Sequence, residues 1–153
     1  MESAGLEWQI LTFDELGAAR LYAILRLRQA VFVVEQQSIY QDLDNLDQQA
    51  MHMIGSADGE IAAYLRCLAP GLSYPESSMG RIIVSPAMRG RDLGRDLVQR
   101  GIDYNLAQWP DSAIRINAQS YLQAFYASMG FVAEGEEYME DGIPHRQMRY
   151  AAP

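Results

Sequence analysis

Three arginines and two glycines crowd into the run Arg89-Gly90-Arg91-Asp92-Leu93-Gly94-Arg95, just after a Ser85-Pro86 break. Before the break lies a β-branched stretch, Ile82-Ile83-Val84, which reads as a strand; after the arginines the pattern turns helical. A strand that stops in a glycine-punctuated basic loop and restarts as a helix leaves backbone N–H groups free at the helix N-terminus. With the helix dipole and the arginines, these make a seat for a phosphate or pyrophosphate.

Other residues have chemistry to offer. An imidazole suits proton transfer, and His145 follows Pro144 in a stretch that reads as a hairpin rim, while His52 reads as a structural hydrogen-bonding residue within a strand. Arg81, alone in an apolar strand, reads as one half of an ion pair. Asp42, Asp44 and Asp47 lie close together in a polar stretch, residues 35–49, without a clean period. They would form a cation site or a collar for an amine, or belong to an ordinary solvated loop. A calcium loop needs oxygen ligands at alternate positions, then Gly and a distal Glu, whereas Leu46 takes one ligand position and no Gly follows. No metal is expected. Ile39, Tyr40 and Leu43 are expected to pack this loop onto the domain. Cys67 reads as a small buried hydrophobe, since a reactive thiol needs an electropositive, partly exposed setting.

The elements that must position these residues follow from periodicity. Residues 8–12 read as a first strand. A helix follows from Asp14-Glu15, with Leu16, Ala19, Ala23, Leu27 and Ala30 on its apolar stripe and Arg20, Arg26 and Arg28 off it. It runs into Val31-Phe32-Val33-Val34, expected to be a buried last turn. Residues 51–57 and 60–68 read as strands joined at Asp58-Gly59. Residues 70–78 read as a loop. A helix over 92–108 carries two apolar rows, Leu93, Leu97, Gly101, Tyr104 and Val98, Ile102, Leu106. A strand at 113–118 leads to a helix over 121–129, capped by Ser120 and closed by Gly130. Residues 131–133 form a short strand, and 136–140 and 146–151 pair across a turn at 141–144. The order implies one mixed α/β layer domain over 1–153.

Composition sets bounds. The net charge is −8, from 12 basic and 20 acidic side chains. Apart from the arginine run there is no basic footprint, so nucleic-acid binding is not expected. An acidic surface suits a cationic substrate such as an amine. A single cysteine gives no internal disulfide framework. No signal peptide and no membrane-length apolar run is read, so a cytoplasmic protein without membrane contact is expected.

The arginine run, then a strand, then Ala124-Phe125-Tyr126-Ala127-Ser128-Met129-Gly130-Phe131 resembles, in that order, the GNAT superfamily of acyl-CoA N-acyltransferases. Residues 30–36, Tyr40-Gln41-Asp42 and residues 140–145 resemble its ElaA-like branch. The resemblance implies a central mixed, mostly antiparallel sheet flanked by helices. It implies that the backbones of Ile82 and Val84, either side of Ile83, pair with the pantetheine arm of acetyl-CoA. The amides of Arg89, Gly90, Arg91, Leu93, Gly94 and Arg95 would cradle the pyrophosphate. Tyr126 would protonate the departing thiolate, and the Val84 N–H would polarise the thioester carbonyl.

This sequence departs from the family pattern in three places. Asp92 replaces a loop glycine, and its charge must point away from the pyrophosphate, as a helix N-cap or first-turn residue would. Ser120 stands where the family often has Asn, which leaves its contact to pantetheine weaker or absent. The general-base Glu found in many relatives is missing from residues 79–84. The base is therefore open among Glu35, His52, Glu137, His145 or a held water. The expectation is an acetyl-CoA-dependent N-acetyltransferase, a possible homodimer, in which a primary amine of a small molecule or peptide attacks directly in a ternary complex. The rival is a non-catalytic acyl-CoA-binding or interaction module.

Overall fold

The computed structural model describes residues 5–153; the first residues of the N-terminal stretch, and of the 1–153 domain expectation, lie outside them. The chain runs β1 (Glu7–Thr12), α1 (Phe13–Arg28), β2 (Met51–Ala57), β3 (Glu60–Leu68), β4 (Ser77–Val84), α2 (Leu93–Gln108), β5 (Ile114–Gln119), α3 (Gln123–Ser128), β6 (Val132–Glu140) and β7 (Ile143–Tyr150). The strands form a mixed seven-stranded sheet in the order β1-β2-β3-β4-β5-β7-β6. All neighbours are antiparallel except β4 and β5. That parallel pair touches only at Ser77↔Ile114 and Ser78↔Arg115. Beyond those two rungs the strands part, and the sheet opens.

Residue alternation along the strands divides the core between two faces. On one face Ala63, Leu65 and Cys67 of β3 join Leu93, Leu97, Val98 and Ile102 of α2, with Tyr126 and Phe131. On the other, Tyr64 and Ile54 meet Leu16 and Ile24 of α1. Both rows expected on α2 are present, and Gly101 allows its close approach to the sheet. A Cβ there would sit 2.8 Å from Leu65 Cδ1 and 2.9 Å from Met79 Sδ.

The hairpin at Asp58-Gly59 forms as expected, with Ala57 opposite Glu60. Cys67 is buried, and burial pushes its thiol up, which fits an inert core residue. Several expectations are corrected. The stripe on α1 is Leu16, Ile24 and Arg28, while Ala19, Ala23 and Ala30 are exposed. Arg28 is fully buried because carboxylates from a distant loop meet it, a pairing that local periodicity does not register. The following π-helical turn, Gln29–Glu35, buries Val31 but leaves Val34 exposed. Ser120 caps nothing: it opens a 3-10 turn, Ser120–Leu122, and the shorter α3 begins after it. The last turn is tighter than expected, with Glu140 already paired to Ile143 around Asp141-Gly142. β6 is continuous from Val132, with an irregularity between Glu134 and Tyr138.

Candidate active site

The opening between β4 and β5 holds a cleft of about 790 Å³. Residues 79–84 of β4 and 116–119 of β5 form its walls. On the α2 and α3 side it is lined by Arg89, Gly94, Tyr121, Leu122, Phe125 and Tyr126. On the α1 side Tyr40, Asp44, Arg66, Tyr74, Asn117 and His145 line it.

Strand alternation decides what β4 offers. The Ser85 N–H donates to the Ala62 carbonyl at 2.9 Å, so the N–H and C=O of Val84, one residue back, face away from β3 and into the cleft. There the Val84 carbonyl accepts from Arg89 Nε at 3.2 Å. Opposite Leu65, β4 carries an extra residue between the Arg66↔Gly80 and Tyr64↔Ile83 rungs. Arg81 sits in that bulge with φ +50, left-handed for a non-glycine residue. Its expected ion pair is present: Nε lies 2.7 Å from Asp42 Oδ1, and Nη2 donates to the Asp42 carbonyl at 2.8 Å.

Asp42, Asp44 and Asp47 are neither a solvated loop nor a cation site. Asp47 Oδ1 accepts from Arg28 at 2.7 Å and from Arg66 at 3.0 Å. Asp42 pairs with Arg28 at 2.8 Å, and Asp44 with Arg66 at 2.7 Å and Arg81 at 3.3 Å. Three aspartates thus balance three arginines. Burial alone would raise the Asp44 carboxyl, but Arg66 and Arg81 hold it down at about 2. Ile39 and Leu43 are exposed, so the loop is fastened by these ion pairs and not by the apolar packing expected of it. Among the described residues no group of three His, Cys, Asp or Glu could hold a metal.

The loop after α1 also bridges the opening. Glu35 pairs with Arg89, the Gln36 and Gln119 side-chain amides exchange hydrogen bonds, and Ser38 Oγ donates to the Asp141 carbonyl at 2.7 Å.

The four base candidates separate by geometry. Glu35 is exposed, and its hydrogen bonds with Arg89 lower its pKa. Glu137 is exposed and does not line the cleft. His52 is fully buried between two partners: its Nε2–H donates to the Asp47 carbonyl at 2.9 Å, and the Tyr64 hydroxyl donates to Nδ1 at 2.6 Å. Burial lowers its pKa, and it does not reach the cleft. His145 does line the cleft, 8% exposed and stacked on Tyr138. Its Nδ1–H donates to the Ile143 carbonyl at 2.7 Å, which fixes the tautomer and leaves the Nε2 lone pair free. Tyr126 is 6% exposed, and its hydroxyl has no hydrogen-bond partner among the described residues. Burial raises its pKa and keeps it protonated.

The anion loop fits the phosphate part of an acyl-CoA. No amide of residues 90–95 donates to an acceptor among the described residues, and Gly90 takes φ +81 with open space around it. Asp92 occupies the N-cap position of α2 in a left-handed conformation (φ 59), but its exposed side chain makes no cap bond. Ser120 Oγ is buried without a hydrogen-bond partner, and Ser120, expected to touch pantetheine, does not line the cleft. Two arginines are engaged elsewhere: Arg95 bonds Ser128 Oγ at 3.0 Å and stacks over Phe125, and Arg89 holds Glu35. Arg91 is exposed.

Sequence reasoning missed Tyr74 and Asn117, which reach the cleft only through strand register and one distant loop. No local motif marks them.

Comparison with known proteins agrees with this architecture. Residues 15–152 match the family model of the acetyltransferase (GNAT) domain. The chain is 43% identical to protein ElaA of Escherichia coli over 142 residues, 92% of this chain and 93% of that one. It superposes on the crystal structure of an acyl-CoA N-acyltransferase from Pseudomonas aeruginosa with a TM-score of 0.91 and 41% identity, covering 95% of this chain and 99% of that one. The crystal structure of Escherichia coli ElaA gives a TM-score of 0.90 with the same identity and coverage. With the model spanning nearly the whole chain, the protein belongs to the GNAT acetyltransferase family, a fold that binds acyl-CoA.

Proposed function

We propose that the protein is an N-acetyltransferase that moves the acetyl group of acetyl-CoA to a primary amine by direct attack in a ternary complex. The observation that carries this reading is the cleft itself. Tyr126 and His145 line it from opposite faces of the sheet, each with an unpartnered polar atom, and the free Val84 N–H lies on its wall.

Bound acetyl-CoA would supply the acetyl group as an activated thioester. The amides of residues 90–95 bind the pyrophosphate, and the backbones of Ile82 and Val84 align the pantetheine arm, while Ile83 turns its own backbone groups toward β3. Val84 N–H holds the carbonyl oxygen as it gains charge. His145 Nε2 takes a proton from the amine as the new N–C bond forms. Tyr126 gives its phenolic proton to the sulfur as the C–S bond breaks. The phenol's raised pKa keeps that proton in place until the thiolate needs it. An amine suits the α1 side of the cleft, where the arginines are already neutralised by aspartates.

Thermal denaturation with acetyl-CoA, CoA and ATP in parallel tests the binding half of this reading. A ligand at ~100 times its Kd adds about 2.7 kcal/mol, roughly 5–10 °C for a chain of this size. Such a shift with acetyl-CoA and little with ATP is expected. No shift with either CoA compound would remove the reading and implicate Asp92.

A further inference from the structure

The arginines and aspartates of the cleft's α1 side cancel, but Glu140 and Asp141 line the cleft without a cationic partner among the described residues. Of the two, only the carboxylate of Glu140, the last residue of β6, is held by a side-chain hydrogen bond. Asn117 Nδ2 donates to Glu140 Oε2 at 2.8 Å. Asn117 Oδ1 accepts in turn from the Tyr138 hydroxyl, which accepts from Gln147 Nε2 at 3.0 Å, and Gln147 also reaches the Tyr74 hydroxyl at 3.1 Å. An exposed carboxylate at a hairpin end ordinarily swings free. This one is oriented by neutral side chains, and the arginine at the far end of the chain, Arg115, which donates to Gln147 Oε1 at 3.4 Å, is already paired with Glu76 and Glu134. A second observation points into the same space: His145, more than nine-tenths buried, turns an unpartnered Nε2 toward the cleft and stacks on Tyr138 of that chain.

The two groups have opposite requirements. The attacking amine must lose its proton, so a fixed anion that stabilises the ammonium form would oppose the reaction at that nitrogen. A base with a free lone pair favours it. Glu140 therefore matches a cation that keeps its charge throughout, and His145 the nitrogen that reacts. Arg66 and Arg81, each already paired with aspartate, offer no free cation to an anionic acceptor.

We infer that Glu140, oriented by Asn117, selects acceptors carrying a second positive charge besides the reacting amine, that is, diamines or equivalent dicationic amines. This rests on the acyl-transfer reading for the identity of the reacting nitrogen. Its own content is a preference between two amines.

The test compares putrescine with butylamine, which share a carbon chain and differ by one ammonium group. Binding of each to the full-length protein with CoA present is measured by calorimetry, and initial rates are measured with acetyl-CoA. Wild type is expected to bind putrescine about two- to fivefold more tightly than butylamine, the scale of one exposed ion pair. Glu140→Gln, which changes only an exposed side chain, should erase that preference and leave acetyl-CoA affinity unchanged. Asn117→Ala should raise the KM for putrescine with kcat little altered, which a general loss of structure would not do. Equal binding of the two amines by wild type, or a preference that survives Glu140→Gln, overturns the inference whatever the rates show. A Glu140-dependent preference without turnover of either amine supports the recognition role and counts instead against acyl transfer.

Discussion

The carboxylate of Glu35 grips the guanidinium of Arg89 through two contacts, 2.6 and 2.9 Å long. One partner ends the turn after α1 and the other begins the anion loop, so the bridge over the cleft is tied to the phosphate seat. The same arginine also holds the Val84 carbonyl. Acyl-CoA thus meets an arginine whose charge is already in use.

Removing that competitor should therefore strengthen binding. Glu35→Gln is expected to tighten CoA about two- to fivefold, the modest range of an exposed ion pair. Arg89→Ala should weaken it. Isothermal titration of both variants at low and moderate salt checks the sign, and a loss of affinity in Glu35→Gln would mean that the pair orders the loop instead of occupying it.

The ion-pair network under the cleft governs stability. Arg28 is fully buried, and truncating it leaves Asp42 and Asp47 short of a partner in a desolvated site. Breaking a buried pair from one side costs about 3 kcal/mol or more. Arg28→Met should accordingly lower Tm by roughly 6–12 °C. Arg26→Met, on the exposed face of the same helix, should change stability by no more than about 0.5 kcal/mol.

The network also predicts an acid limit. Arg66 and Arg81 hold the Asp44 carboxyl at about 2, and Arg28 and Arg66 lower Asp47 against the opposing effect of burial. Both folded pKa values lie below the unfolded value of about 3.9. The unfolded chain therefore binds protons first as pH falls. The contribution is complete above about pH 4 and fades as pH drops toward 2. Urea midpoints measured between pH 6 and pH 2.5 should fall in the acid range, and the fall should be shallower in Asp44→Asn.

What the sequence disclosed follows the range of the interactions involved. The Asp58-Gly59 hairpin and the two apolar rows of α2 are local patterns, and they could be read directly. The arginine-glycine run and the Phe125-Tyr126 segment carried the family. Arg28 could not be placed, because its partners lie 14 and 19 residues away and an arginine on a helix face reads as exposed. For the same reason the aspartates stayed open between a cation site, an amine collar and a solvated loop. Ser120 had the composition of a cap, but the chain takes a 3-10 turn there and sends its hydroxyl inward. His145 and His52 were both open as bases in the sequence and are separated by the fold, which buries His52 between Asp47 and Tyr64 and sets His145 on the cleft wall.

Of the proposed catalytic groups, the Tyr126 phenol is the one most directly open to test. Tyr126→Phe removes one hydroxyl that has no hydrogen-bond partner among the described residues, so fold and acyl-CoA binding should be unaffected. Thiol release from acetyl-CoA in the presence of an accepted amine should fall about a hundredfold or more if this phenol supplies the proton. Undiminished turnover in Tyr126→Phe would contradict the assignment, and the absence of turnover in wild type despite acetyl-CoA binding would favour a module that binds without catalysing.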